Sequence, residues 1–293
     1  MKKRVGFIGL GAMGKPMARN LLKAGYSLKV NDLNRLSMEE LKGEGAQIAG
    51  LPKEVAAESE VIITMLPDSP EVQEVYLGKD GLLSGATNKT IFIDSSTVEP
   101  ETTWKVGDAV AQKGAAMLDA PVGGGVPNAV KGNLIMLVGG EKGTLEKCRD
   151  ILMTVGDRII HAGPLGSGEK LKLINNMMMG IYLFSLVEGL SLAKKCGLNE
   201  DKLMGLLKEN LMSFYERHTT SMRKKEFQPG FRVRLGHKDL KLALKMADSN
   251  AASLPFAALT KEMLLMAKNY GLGEYDWTAV WSLYVPETQW NKE

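Results

Sequence analysis

The chain begins with a short apolar run, residues 5–8, that leads directly into three glycines with a fixed spacing. Gly9-Leu10-Gly11-Ala12-Met13-Gly14 follows the pattern G-x-G-x-x-G, and a helical pattern starts at Lys15. In a strand–turn–helix unit the first glycine permits the tight turn, the second lets a ligand approach the backbone, and the third lets helix and strand pack closely. This spacing predicts that the fold starts with a βαβ unit.

The N-terminus of such a helix offers free N–H groups and a dipole that favour the phosphates of a dinucleotide. The residues predicted to contact this cofactor are Gly9, Gly11, Ala12, Met13 and Gly14. Asp32 ends the second predicted strand, where a carboxylate accepts hydrogen bonds from ribose hydroxyls and repels the 2′-phosphate of NADP. Arg35, three residues further on, favours NADP instead. Because of Asp32 we predict NAD(H). Two alternatives stay open, a glycine-rich turn without a ligand and an N-cap role for Asp32.

The first half of the sequence alternates strand-like and helix-like patterns. The strand-like runs are 5–8, 27–31, 61–65, 90–93, 117–118 and 134–138. Several of them lack polar alternation, which is typical of parallel strands buried on both faces. Amphipathic segments at 15–24 and 37–44 lie between them and end at Gly25 and Gly45. We predict an α/β fold whose N-terminal domain is a Rossmann-like, doubly wound parallel sheet.

The pattern changes near residue 163. No proline interrupts residues 168–196, which predicts one helix of about 28 residues. Its middle is apolar all round, as in a helix buried at the centre of a protein or at a subunit contact, so we expect a homo-oligomer, a dimer or a tetramer. Further helical patterns lie at 199–210, 238–248 and 258–270. We predict an NAD-binding Rossmann domain over residues 1–163 and an all-helical C-terminal domain over residues 164–293.

Composition excludes several classes of protein. The 37 basic and 34 acidic residues leave a net charge of +3, which does not predict a nucleic-acid surface. The two cysteines cannot build a disulfide framework, and this favours the cytoplasm. Residues 9–15 interrupt the N-terminal apolar run, so it is not a signal peptide, and the apolar stretch 177–187 is about half a membrane span. The three histidines lack metal-ligand spacing, so we expect no metal, no nucleic acid and no membrane partner.

Four motifs, in order along nearly the whole chain, resemble those of the β-hydroxyacid dehydrogenases, which include 3-hydroxyisobutyrate dehydrogenase and tartronate semialdehyde reductase. Residues 7–14 resemble their cofactor fingerprint, and Asp119–Gly125 is similar to their substrate loop D-x-P-V-S-G-G. Residues 166–176 are similar to their catalytic motif, and residues 238–240 match their K-D-L. The resemblance implies an NAD-dependent oxidoreductase that acts on a small anionic aldehyde or hydroxy acid.

Lys172 and Asn176 are four residues apart near the start of the long helix, so they share one face. The resemblance makes Lys172 the catalytic acid or base, and burial lowers the pKa of a lysine toward that role. It also implies that substrate is bound by Gly123, Gly124, Gly125 and Asn176. It implies further cofactor contacts from Leu66, Pro67, Thr97 and Lys238. An N-cap role for Thr97 and a plain surface position for Lys238 stay open.

Gly123 stands where the family commonly has a serine that helps to hold a substrate carboxylate. This position and several flanking segments resemble the branch that reduces 3-sulfolactaldehyde to 2,3-dihydroxypropane-1-sulfonate with NADH, although that branch has an arginine at the position of Gly124. We predict this reaction. The alternatives are carboxylate substrates, as in 3-hydroxyisobutyrate dehydrogenase or tartronate semialdehyde reductase. A non-catalytic dinucleotide-binding module is a remote alternative, because Lys172 is present.

Overall fold

The structure, a computed structural model, describes residues 2–285, and the chain divides into two compact units between residues 177 and 178. The first unit contains a nine-stranded sheet. Its strands are β1 Arg4–Ile8, β2 Ser27–Asn31, β3 Gln47–Ile48, β4 Val61–Thr64, β5 Ile91–Asp94, β6 Ala116–Asp119, β7 Val122–Gly123, β8 Leu134–Gly139 and β9 Gly156–Gly163.

Eight helices lie wholly within this unit, and a ninth begins in it. They are α1 Gly14–Lys23, α2 Arg35–Gly43, α3 Pro52–Glu58, α4 Ser69–Leu77, α5 Leu82–Gly85, α6 Pro100–Gln112, α7 Gly125–Lys131, α8 Lys142–Val155 and α9 Ser167–Lys195. The helices predicted at 15–24 and 37–44 are confirmed as α1 and α2. Gly25 and Gly45, which follow them, have φ of 79° and 109°, the left-handed conformation that glycine adopts most readily after a helix.

The strand order β3-β2-β1-β4-β5-β6 is that of a doubly wound nucleotide-binding sheet, and these six strands are parallel. The predicted fold class is therefore confirmed. Strand β8 departs from the parallel arrangement, since it runs antiparallel to both β6 and β7. The link between β7 and β8, residues 124–133, is shorter than the crossover of about a dozen residues that a parallel return needs.

Side chains from the two faces of the sheet form two separate apolar clusters. Phe7 of β1 packs with Met17 and Leu21 of α1 on one face. On the other face, Phe92 of β5 packs with Tyr76 of α4, with ring centroids 5.4 Å apart. This arrangement buries the central strands on both sides, which is why their sequences show no polar alternation.

The glycine turn after β1 has the close contacts that its spacing predicts. Gly9 has φ of 92°, and a Cβ on Gly14 would lie 1.8 Å from the carbonyl oxygen of Gly9. A Cβ on Gly11 would meet nothing within 4 Å. The first and third glycines are therefore required by the fold, whereas the second leaves open space beside the backbone.

Three strands were not predicted. Strands β3 and β7 have two residues each, too few for a periodic pattern. Strand β9 pairs with β8 in parallel, but most of its side chains are exposed or half-buried, including Asp157 and Arg158. An edge strand of this kind lacks the apolar run that marks buried parallel strands.

Beyond residue 177 the described chain is helical, apart from one isolated bridge between Arg232 and Asp276. Its elements are the remainder of α9, α10 Glu200–Lys224, α11 Val233–Ser249, α12 Pro255–Ala267, a π-helical turn Lys268–Leu272 and a 3-10 helix Trp277–Leu283. The helical character predicted for this part is confirmed. Helix α10 extends well beyond the predicted 199–210. The hydrophobic core of this second unit is small, with Val233, Leu264 and Ala267 buried together.

The long helix predicted from residue 168 is confirmed as α9. Its apolar middle is exposed in the single chain, with Met177 and Leu183 showing 59% and 58% of their surface. Of the two positions expected for it, the centre of one chain is therefore wrong, and a subunit contact stays a prediction. One 18-residue window of α9 is apolar enough by composition to cross a membrane. Glu169 and Lys172 lie in its first turns, however, and such a single helix is weak evidence for a span.

A pair of glycine variants tests the reading of the turn after β1. Gly14→Ala should lower the free energy of unfolding by about 1–3 kcal/mol, because the added methyl group collides with backbone. The matched control Gly11→Ala should change it by less than about 0.5 kcal/mol. Urea unfolding of both variants without cofactor measures the difference, and equal losses of stability would contradict the assignment.

Candidate active site

A cavity of about 330 Å³ lies where β1 and β2 end. The residues that line it are Leu10, Gly11, Ala12, Lys15, Pro16, Asp32, Asn34 and Ser37. The open space at Gly11 lies beside the N-terminus of α1, where N–H groups and the helix dipole favour phosphate. Gly9 and Gly14 shape this turn, and Met13 packs against the core. These residues fit the pyrophosphate of a dinucleotide.

The carboxylate of Asp32 connects the two loops that line this cavity. One oxygen accepts a hydrogen bond from the N–H of Leu10 and the other from the N–H of Asn34, both at 2.5 Å. The N-cap of α2 is Asn34, whose side chain accepts from two backbone N–H groups. An N-cap role for Asp32 is therefore wrong. Arg35 is 85% exposed and pairs with Glu39 at 3.8 Å.

Three polar residues stand side by side in register at the carboxyl edge of the sheet. They are Thr64 of β4, Asp94 of β5 and Asp119 of β6. The hydroxyl of Thr64 donates to Asp94 Oδ1 at 2.8 Å, and the backbone N–H and hydroxyl of Ser96 donate to the same atom. Burial raises the pKa of both the Asp94 and Asp119 carboxyls.

The loops that leave this edge carry three of the predicted cofactor residues. The N–H of Leu66 donates to Ser96 Oγ at 2.9 Å, which ties the β4 loop to the β5 loop. Pro67 is exposed and Thr97 is half-buried. Helix α6 takes Glu99 as its N-cap, so an N-cap role for Thr97 is wrong. Their contacts with the cofactor stay predictions.

Asp119 also fixes the start of α9. Its two oxygens accept hydrogen bonds from the N–H of Gly166 at 2.8 Å and the N–H of Glu169 at 2.9 Å. Glu169 is fully buried, and its Oε2 accepts from the N–H of Val98 at 3.2 Å. Burial raises the pKa of Glu169 to about 9, with further contributions from Asp94 and Asp119.

Lys172 lies one turn further along α9 and is half-buried. Burial lowers the pKa of its ammonium, and the charge of Glu169 acts in the opposite direction. Asn176 is exposed one turn beyond, and its Oδ1 accepts from Asn175 at 3.5 Å. Lys170 instead lies over the ring of Trp104, 4.9 Å from the centroid. The lysine with a lowered pKa is thus the one that sequence reasoning chose.

The predicted substrate loop follows Asp119. Gly124 and Gly125 have φ of 117° and 67°, conformations that other residues rarely adopt. A Cβ on Gly124 would lie 2.6 Å from Asn128 Nδ2, whereas a Cβ on Gly123 would meet nothing closer than 3.7 Å. The fold therefore requires glycine at 124 and leaves room for a side chain at 123.

Lys238 lies on α11 in the second unit, where it is exposed and pairs with Asp239 at 2.8 Å. Its contact with cofactor or substrate stays a prediction. In the same unit, Trp277 Nε1 donates to His218 Nε2 at 2.7 Å and its ring packs on Phe231.

Sequence reasoning assigned no role to four residues at the site. Lys15, Asn34 and Ser37 line the cavity beside the glycine turn. Glu169 precedes Lys172 by three residues, about one turn of α9. A signal for Lys15 existed, since it follows the third glycine directly and a cation there suits phosphate. No pattern marks Glu169, because its burial depends on how α9 meets the sheet.

Two family models together match nearly the whole chain. Residues 4–163 match the family model for the NAD binding domain of 6-phosphogluconate dehydrogenase. Residues 166–284 match the model described as NAD-binding of NADP-dependent 3-hydroxyisobutyrate dehydrogenase.

Individual relatives match over nearly the whole chain. A 3-hydroxyisobutyrate dehydrogenase from Pseudomonas aeruginosa is 38% identical over an alignment of 294 positions, which covers 96% of this chain and 98% of that protein. A 3-sulfolactaldehyde reductase from Escherichia coli is 37% identical over 281 residues, 94% of each chain. The solved structure of a Mycobacterium tuberculosis 3-hydroxyisobutyrate dehydrogenase with L-serine is 30% identical, with a TM-score of 0.69 over 97% of this chain and 99% of that one.

The glycine turn with its cavity, the buried acids and the lysine on α9 thus occur in a chain that matches NAD-binding dehydrogenases along its length. The protein is an NAD(H)-dependent oxidoreductase, and it belongs to the β-hydroxyacid dehydrogenase family, with 3-hydroxyisobutyrate dehydrogenase among its relatives.

Proposed function

We propose that this enzyme reduces 3-sulfolactaldehyde to 2,3-dihydroxypropane-1-sulfonate with NADH. The observation that carries the choice of substrate is Gly123. A side chain would fit there, since the nearest atom to an added Cβ is 3.7 Å away, so packing does not demand glycine. The serine hydroxyl that would help to hold a carboxylate is absent, and space for a side chain remains at this position.

The glycines after β7 suit a tetrahedral anion. Gly124 and Gly125 are exposed and adopt positive φ, which can turn successive N–H groups toward one concave face. A sulfonate has three acceptor oxygens, so it gains more from a backbone cradle than a planar carboxylate does. The amide of Asn176 would add a donor from α9.

The chemistry follows from Lys172 and the cofactor. Bound NADH supplies the hydride to the aldehyde carbon. The ammonium of Lys172 gives a proton to the carbonyl oxygen, which becomes the alcohol, and in the reverse direction the neutral amine takes that proton. Burial lowers the pKa of Lys172, which brings both protonation states closer to neutral pH.

Carboxylate semialdehydes are the second candidate. They are favoured by the 38% identity to a 3-hydroxyisobutyrate dehydrogenase, which is as high as the identity to the sulfolactaldehyde reductase. A non-catalytic dinucleotide-binding role is disfavoured, because Lys172 is present and its pKa is lowered.

We also propose the domain division 1–163 and 164–293, a cytoplasmic location and a homo-oligomer. The two family models change over between residues 163 and 166, which supports the division. The exposed apolar middle of α9 supports a second copy of this chain as its cover. The described cysteines are both free, which suits a reducing compartment.

Lys172→Ala should lower kcat by about 10²–10⁴-fold, the usual contribution of an acid–base group, while NADH binds as before. Lys170→Ala is the matched control, since Lys170 lies on Trp104. Steady-state kinetics and fluorescence titration with NADH measure both effects. A Lys172→Ala enzyme within a factor of about three of the parent would remove Lys172 from the mechanism.

NADH should be preferred over NADPH by about tenfold or more in kcat/KM, an energy difference of about 1.4 kcal/mol. The reason is that the Asp32 carboxylate repels a 2′-phosphate. Asp32→Ser should narrow the ratio, and Arg35→Ala should leave it nearly unchanged because Arg35 pairs with Glu39. Equal use of both cofactors by the parent enzyme would show that the Asp32 assignment is wrong.

The enzyme should reduce 3-sulfolactaldehyde with higher kcat/KM than succinic, tartronate or methylmalonate semialdehyde. Gly123→Ser should shift the ratio toward the carboxylates, since its hydroxyl fits and can donate to them. Gly124→Ala should raise KM for both classes, because the added methyl group meets Asn128. A carboxylate that the parent enzyme prefers tenfold, about 1.4 kcal/mol, would decide for the second candidate.

A further inference from the structure

Glu169 is a buried acid in the first turn of α9 to which the mechanism above gives no role. Its side chain is fully buried, although a carboxylate without a partner is among the costliest groups to bury. Its Oε2 has one donor, the N–H of Val98 at 3.2 Å, and its Oε1 is buried without a hydrogen-bond partner among the described residues. Packing alone does not require an acid here.

The other two acids near Glu169 are better solvated by protein groups. Asp94 receives three hydrogen bonds on Oδ1, from Thr64 and Ser96, while its Oδ2, like Oε1 of Glu169, is buried without a hydrogen-bond partner among the described residues. Asp119 receives the N–H groups of Gly166 and Glu169, one on each oxygen. Each donor stabilises the ionised form, and Glu169 has one donor where Asp94 has three and Asp119 has two. The count of donors therefore favours Glu169 as the acid that keeps a proton. Burial, Asp94 and Asp119 all raise the pKa of Glu169, whereas the N–H of Val98 and the charge of Lys172 lower it.

The position of Glu169 joins two parts of the site. Its backbone N–H is held by Asp119 at the end of β6, and its side chain holds Val98, the residue after Thr97 in the β5 loop. Lys172 lies three residues further on the same helix, where residues i and i+3 are neighbours. A change at Glu169 therefore reaches both Lys172 and the Thr97–Val98 loop, in which Thr97 is predicted to contact the cofactor.

We propose that Glu169 is a positioning residue that holds a proton at neutral pH, ties the Thr97–Val98 loop to α9, and becomes the counter-charge of Lys172 only at alkaline pH. This rests on the proposed role of Lys172. At neutral pH the neutral acid leaves Lys172 without a buried anion beside it. When Glu169 loses its proton at alkaline pH, its negative charge favours the ammonium form of Lys172. The proton that reduction needs therefore stays on Lys172 to higher pH.

The sign of the effect follows directly. Aldehyde reduction requires protonated Lys172, so its rate falls as pH rises through the pKa of that lysine. Glu169→Gln keeps an acceptor for the N–H of Val98 but can never carry the charge. The fall in its reduction rate at alkaline pH, the alkaline limb of the pH–rate profile, should therefore move to lower pH by about one unit. Glu169→Leu removes the acceptor as well, so it should show the same shift and a further fall in kcat of about tenfold.

The kinetic experiment measures kcat and KM for aldehyde reduction against pH for the parent enzyme, Glu169→Gln and Glu169→Leu. Glu101→Gln, which removes an exposed carboxylate at the start of α6, is the control and should leave the limb in place. An alkaline limb that Glu169→Gln does not move would overturn the proposal. If Glu169→Leu does not fold, Glu169→Gln still decides.

A second readout does not depend on activity. Infrared spectra of the cofactor-free enzyme near neutral pH, parent minus Glu169→Gln, should show the C=O stretch of one protonated carboxyl group, and subtraction removes the contributions of Asp94 and Asp119. An ionised Glu169, seen as a carboxylate band instead, would overturn the proposal. If Lys172→Ala keeps its activity, the proposed role of Lys172 fails, while the infrared difference still reports the state of Glu169.

Discussion

The pair of hydrogen bonds from the start of α9 to Asp119 is the constraint on which the candidate site depends. A helix leaves its first N–H groups unpaired and carries a partial positive charge at that end. Here a buried carboxylate at the end of β6 accepts the N–H groups of Gly166 and Glu169. Because the helix is rigid, this contact sets where Lys172 and Asn176 lie with respect to the sheet.

The register of the parallel strands supplies the rest of the frame. Thr64, Asp94 and Asp119 are paired neighbours across β4, β5 and β6, so three polar side chains meet at one edge. Their hydrogen bonds extend through Ser96 to the N–H of Leu66. The loops predicted to touch the cofactor thus leave a network of buried hydrogen bonds, which favours a preorganised site.

Burial shifts the pKa values of Glu169 and Lys172 in opposite directions. It raises the pKa of Glu169 and lowers that of Lys172, since in each case the charged form loses water. The two groups lie in successive turns of one helix, so each charge also opposes the shift of the other. The protons of such a coupled pair are lost in steps that belong to the pair rather than to either residue alone.

Much of the fold could be predicted from sequence, because it depends on local chemistry. The glycine spacing specified the turn after β1, and the apolar runs specified the buried parallel strands, while Lys172 stood out through its motif. The antiparallel β8, the two-residue strands and the exposed edge strand β9 could not be predicted this way, since their pairing depends on chain connections and edge position.

The sequence by itself determined which chemical groups are available: a glycine turn predicted to bind phosphate, a carboxylate at Asp32 predicted to bind ribose, and a lysine and an amide on one face of a helix. Only the tertiary structure decided that Asp32 braces the turn while Asn34 caps α2, that Lys170 rests on Trp104, and that Glu169 is buried beneath the β5 loop. The physical reason is that hydrogen-bond partners and desolvation are set by residues distant in the chain, which no local pattern contains.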